Sequence, residues 1–364
     1  MWVSRQESKF AHTCLRKKSQ LPLDQHIASR AQTSTRSLII EEAHPPTVDL
    51  HCHLRGAIAP AHAEELAWKH SIALPKAAAN GRYCFSTFEE FLTLYDQVGH
   101  VIRSAHDLCD VATRYLETVS NQGTCYVEFM ISPGHSIANG IDFDSQLAAL
   151  VDAFDLAQAE FDVFGSIIAT CVRHRGPEEA TDIAEMCAKR THPRLRGFGL
   201  TGNEHKFHIE EFEGPFMVAQ DAGLSLTAHV GEWGNAQEVL RAVDVLNLQR
   251  VGHGISVSDE PNIMDELSER KVGFEVCLSS NVQLGASASF KEHQALKMLE
   301  AGCLVALSTD DPAYFDTTPN KELFLASKHL ELPQARLDQI FSDSIEIAFC
   351  DDATKSMLYQ RASR

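Results

Sequence analysis

The sequence has little that would tie the chain to a membrane, a polyanion or an oxidising compartment. No apolar run approaches the ~18 residues that a membrane-spanning helix needs, so none is predicted. Positive charge is in deficit: 32 Lys and Arg stand against 50 Asp and Glu, a net charge of −18. That balance argues against nucleic-acid or anionic-membrane partners and leaves a small molecule as the expected one. The 10 cysteines include no Cys-x-x-Cys pair. Several lie in apolar, β-prone runs where a thiol behaves as a small hydrophobe, which predicts a reducing, cytoplasmic setting. His-Glu-x-x-His and Gly-x-Ser-x-Gly are both missing, which removes support for a zincin or a serine hydrolase.

What is present is ordinary globular composition, 44% apolar and 23% charged. Residues 1–45 differ from the rest: Arg, Ser and Gln are frequent and apolar periodicity is poor. A disordered extension is expected there, with an organelle transit peptide as the alternative. From Val48 onward eight short β-like runs alternate with helical sequence: Val48–Leu54, Cys125–Ser132, Gly165–Val172, Gly197–Leu200, Ser225–His229, Arg250–His253, Gly273–Leu278 and Leu304–Thr309. Apolar strands alternating with amphipathic helices, such as Ala236-x-x-Val239-Leu240-x-x-Val243-x-x-Leu246, imply a parallel sheet covered by helices. A count of eight favours a closed (β/α)8 TIM barrel, one domain over 46–364. Extra helices are expected after the first strand, over Ala61–Ser71, Phe88–Gly99 and Ala105–Asn121. An aromatic group there, Phe85, Phe88, Phe91, Leu92 and Tyr95, serves either as core packing or as a lid over the barrel mouth.

In such barrels the reacting groups sit at the C-terminal ends of the strands. The first run ends in His51-Cys52-His53, whose two histidines share one face of a strand. The fifth ends in His229-Val230-Gly231-Glu232, the sixth in Gly252-His253-Gly254 and the eighth in Asp310-Asp311. His51, His53, His229 and Asp310 have the donor types that hold one zinc ion and leave a position for water. Glu232 is then the candidate general acid/base, and His253, on the neighbouring strand, the residue that orients the hydroxide. Gly197-Phe198-Gly199-Leu200-Thr201-Gly202 matches a dinucleotide fingerprint, but its glycines fall inside a strand-like run, so the match is accidental. The acidic cluster Glu210-Glu211-x-Glu213 is expected to be a solvated helix start.

The runs His51-Cys52-His53-Leu54-Arg55-Gly56, His229-Val230-Gly231-Glu232, Gly252-His253-Gly254 and Ser308-Thr309-Asp310-Asp311-Pro312 closely resemble, in order and spacing, those of the adenosine/adenine deaminase family of metal-dependent amidohydrolases. The resemblance implies one zinc ion on His51, His53, His229 and Asp310, with Glu232 protonating purine N1 and His253 positioning the attacking hydroxide. It further implies that Asp311 meets purine N7 and the water, and that the Gly202 amide meets purine N3. The His-x-Glu and Pro-Cys-x-x-Cys pattern of the other zinc deaminase architecture is absent.

Three departures bear on the substrate. Arg55 stands where adenosine enzymes of the family carry an acidic residue against the ribose; it either faces a phosphate or pairs with a carboxylate. Met130 replaces an arginine, and Cys277-Leu278-Ser279-Ser280-Asn281-Val282 is similar to the Ser-Asn run of adenine deaminases. The leading expectation is deamination of adenosine or deoxyadenosine to the inosine product and ammonia. The alternative is free adenine or an N6-modified adenine nucleotide, and a remoter one is a barrel that binds without turnover.

Overall fold

Eight apolar strands form where the sequence alternates them with helices. The computed structural model describes residues 45–78, 81–190 and 192–362. The expectation for residues 1–45 lies, save for its last residue, outside the described residues. The strands are β1 (Thr47–His53), β2 (Thr124–Ile131), β3 (Phe164–Val172), β4 (Leu195–Thr201), β5 (Ser225–Val230), β6 (Arg250–His253), β7 (Gly273–Val276) and β8 (Leu304–Leu307). They are parallel and hydrogen-bonded in chain order. Nearly every strand residue is buried, as expected when one face looks into the barrel and the other meets helices. The run read as a strand through Leu278 ends at Val276, because a helix, Leu278–Leu284, begins there.

The barrel closes at its functional end. The Asp310 amide donates to the carbonyl of His51 at 2.8 Å, and the His53 amide donates to the carbonyl of Asp310 at 2.8 Å. This bridge joins the chain after β8 to β1. Asp310 makes it with φ of 63°, a left-handed conformation that Asp tolerates better than most residues. Barrel closure and the placement of the Asp310 side chain are therefore one event.

Three helices fill the interval between β1 and β2: α1 (Pro60–His70), α2 (Phe88–Gly99) and α3 (Ala105–Ser120). Each start matches its sequence signal. Pro60 opens α1, the Thr87 hydroxyl accepts from the Glu90 amide, and the Ser104 hydroxyl accepts from the Asp107 amide. The aromatic group packs in the core and also faces the barrel mouth. Phe91 is buried against Phe85 and Phe315, while Phe88, Phe91, Leu92 and Tyr95 also wall a cavity over the strand ends. No helix among the described residues is long and apolar enough to cross a membrane.

Candidate active site

His51 and His53 project from the end of β1 toward His229 at the end of β5. The Nε2 atoms of His51 and His229 lie 3.0 Å apart, and those of His53 and His229 3.1 Å apart. Oδ1 of Asp310 stands 3.3 Å from His53 Nε2 and 3.7 Å from His51 Nε2. His229, His53 and Asp310 share this small volume because β1, β5 and β8 end at one rim. Gly252 makes room for it: a methyl group there would lie 3.0 Å from the His51 ring and 3.1 Å from that of His229.

The surroundings call for a cation. Burial works against a charge on His51, but Asp310 and Glu275 outweigh it and raise the imidazole to about 9. Burial lowers His53 to about 4 and holds His229 well below its ordinary value, with the charge of His51 adding to both effects. Nδ1 of His51 lies 2.6 Å from Oε2 of Glu275. Burial would raise that carboxyl, yet Arg250 and His51 bring it down to about 2, so it is ionised and His51 donates from Nδ1. With a metal ion in place of the proton on Nε2, the Nε2 lone pair of His51 would face the same point as the other two ring nitrogens. Three close nitrogens and a carboxylate repel one another unless a positive charge sits among them, and imidazole and carboxylate are the donor set of a divalent ion. Donor atoms of His51, His229, His253 and Asp310 lie within 4.8 Å of one another, as do those of His53, Asp310 and Asp311, so the cluster that includes the four expected ligands fits a metal site.

Glu232 and His253 stand beside this cluster. Burial, with Asp310 and Glu204, raises the Glu232 carboxyl well above the usual range, which favours its protonated form. Asn281 donates to its Oε1 at 3.1 Å, and the same amide nitrogen is 3.2 Å from Nδ1 of His253. Burial lowers His253 to about 3, which keeps the ring neutral. Asp311 is raised by burial and by Asp310, and its Oδ1 is buried with no hydrogen-bond partner. Ser280 donates to Oδ2 of Asp310 at 2.6 Å. Glu204 accepts from the amides of Gly231, Glu232 and Trp233 at 2.7, 2.9 and 3.1 Å.

The cavity above these groups, about 110 Å³, is walled on one side by His53, Gly202, Glu232, His253, Asp310 and Asp311 and on the other by the α2 aromatics. Arg55 is the candidate that stays outside. It lies in the short 3-10 helix Leu54–Ala57, with its guanidinium against Gly99 and 5.5 Å from the centre of the Tyr95 ring, and it is not part of the cavity wall.

A family model for adenosine deaminase matches residues 46–363. The chain belongs to that family. It is thus a metal-dependent hydrolase of the amidohydrolase superfamily, acting on C–N bonds of cyclic amidines. An adenine deaminase of Chelativorans sp. is 34% identical over 313 residues, 86% of this chain and 96% of the relative. The crystal structure of an adenine deaminase from Arthrobacter aurescens superposes with a TM-score of 0.83 at 28% identity, covering 88% of this chain and 98% of the other. A Burkholderia ambifaria amidohydrolase solved with bound Zn gives a TM-score of 0.82 at 26% identity, covering 88% and 90%.

Within this family frame, four supporting residues escape a reading by motif: Glu204, Glu275, Ser280 and Asn281. The site partners that give them their roles here, Gly231, His51, Asp310 and Glu232, are 27 or more residues away, as with Glu275 and His51, 224 residues apart. Ser280 and Asn281 were within a run already marked by its likeness to adenine deaminases, but that likeness assigned them no role.

Proposed function

We propose that the chain hydrolyses adenine to hypoxanthine and ammonia, using one zinc ion held by His51, His53, His229 and Asp310. When bound, zinc supplies hydroxide at neutral pH by lowering the pKa of water to about 7. The chain's own groups do the rest. Glu232, kept protonated by its buried site, delivers a proton to purine N1 as C6 is attacked. His253, neutral and with Nδ1 accepting from the Asn281 amide, orients the nucleophile by donating a hydrogen bond from Nε2. Asp311 carries a proton toward purine N7, and the Gly202 amide donates to N3 from the cavity wall. The α2 aromatics cover the flat ring and exclude water.

The observation that carries adenine over the expected adenosine is the identity of the relatives. The chain matches adenine deaminases at 34% identity across nearly their whole length. The cavity supports the same choice against a nucleotide: no Lys or Arg lines it among the described residues, so a phosphate would lack the fork or point charge that normally holds it. The thiols of Cys52, Cys171 and Cys277, buried and pushed up by burial, suit a reducing cytoplasm.

The test is ammonia release by the zinc-loaded protein on adenine, adenosine, deoxyadenosine, AMP and N6-methyl-AMP, with methylamine followed for the last. Adenine is expected to be turned over at least about 100-fold more efficiently than any other, a difference of roughly 3 kcal/mol in transition-state binding. A comparable or larger kcat/KM on a nucleoside or nucleotide overturns the reading.

A further inference from the structure

The carboxylate of Glu204 sits among three consecutive backbone amides, those of Gly231, Glu232 and Trp233, at 2.7, 2.9 and 3.1 Å. It is 6% exposed. Three successive N–H groups aimed at one point form an anion-binding nest, and here the anion is a side chain of the same protein. The nest requires the chain to turn sharply after β5. Gly231 makes that turn with φ of 75°, and a side chain there would meet Val239 and Ser256. Glu204 comes from the loop after β4, the strand paired with β5, two residues beyond Gly202 on the cavity wall.

We propose that Glu204 is a positioning residue for the proposed deamination, clamping the loop that carries Glu232 and tying it to the loop that presents Gly202 to the base. The proposal rests on Glu232 as the proton donor. Both oxygens of the carboxylate are used: Oε2 takes the Gly231 amide, and Oε1 takes those of Glu232 and Trp233. A glutamine has one acceptor oxygen, and its NH2 group would face at least one of these N–H groups. Buried amides left without an acceptor are costly, so the loop would move to satisfy them, taking Glu232 with it. A shift of about 1 Å at a reacting group is enough to lose about 100-fold in rate. The base is held mainly by Asp311 and the aromatic wall, which Glu204 does not touch, so its affinity changes little. The negative charge of Glu204 also stands among those that keep Glu232 protonated, behind burial and Asp310.

Glu204→Gln tests this in the zinc-loaded full chain, with adenine as substrate and bound zinc measured in every variant. We expect kcat to fall about 100-fold, with KM within about threefold of wild type and zinc unchanged. In a Glu232→Gln background the same change is expected to cost less than about threefold, because the loop then has no proton donor to position. Near-wild-type kcat in Glu204→Gln, or a loss in the Glu232→Gln background equal to that in wild type, overturns the role of Glu204. Near-wild-type turnover by Glu232→Gln alone instead removes the proton-donor reading, and this proposal with it. If Glu204→Gln does not fold, Glu204→Asp serves: it keeps the charge but falls one carbon short of the nest. A loss confined to kcat supports the role, and an unchanged kcat or a loss carried by KM contradicts it.

Discussion

Glu275 accepts a hydrogen bond from Nδ1 of His51 at 2.6 Å and is itself held by Nε of Arg250 at 2.5 Å and the Thr227 hydroxyl at 2.9 Å. All four side chains are buried. The carboxylate thus fixes which ring nitrogen of His51 faces the metal site, and Arg250 and Thr227 fix the carboxylate.

Glu275→Gln is expected to weaken zinc affinity by about 10- to 100-fold, the usual cost of losing such a partner. His229→Ala, which removes a donor outright, is expected to lose both stoichiometric zinc and turnover. Metal titration with a competing chelator distinguishes the two. Wild-type affinity in Glu275→Gln would show that His51 needs no such partner, and an active, zinc-replete His229→Ala would remove His229 from the ligand set.

Glu322 supplies a pH dependence of stability. Burial raises it to about 7 against the opposing hydrogen bonds from Ser279 and Thr317. A carboxyl raised in the folded state favours folding fully below its unfolded pKa of about 4.5, and that contribution is lost as pH rises toward 7. The shift corresponds to roughly 3 kcal/mol. Urea unfolding at pH 5 and pH 8 should therefore show a difference between wild type and Glu322→Gln that changes by about that amount, with wild type losing relative stability at the higher pH. An equal difference at both pH values would contradict the assignment.

Arg55 is expected to be indifferent to substrate identity, because it lies over Tyr95 and outside the cavity wall. Arg55→Met keeps the length and apolar stem while losing the charge. Its ratio of kcat/KM for adenine over AMP should stay within about threefold of wild type. A selective loss on AMP would make Arg55 a phosphate contact.

The strands and four of the site's segments were legible in the sequence because both signals are local. A strand in this fold is a short apolar run, and the reacting groups follow it directly. His51 and His53 shared a face by strand period alone, and Asp310 followed β8 within three residues. Arg55 reads, from its place in the motif, as facing a phosphate or pairing with a carboxylate; the chain leaves strand geometry at Leu54 and turns into a short 3-10 helix, which places Arg55 over Tyr95. What could not be read was the support. Glu204, Glu275 and Asn281 act through partners on other strands or loops, and their local sequence assigns them no role. The choice of adenine over adenosine rests on the relatives, and that of adenine over a nucleotide also on the cavity lining, since the strand-end motifs serve all of them.

The most direct test of the account is the rate of hypoxanthine formation from adenine by wild type and Glu232→Gln, each at one zinc per chain. The buried Glu232, its carboxyl raised by burial beside the His51–His229–Asp310 cluster, is the group assigned to move the proton. An amide cannot relay it, so the variant is expected to keep its zinc and fall by about 100- to 10,000-fold in kcat. A zinc-replete Glu232→Gln within about threefold of wild type would contradict that central assignment.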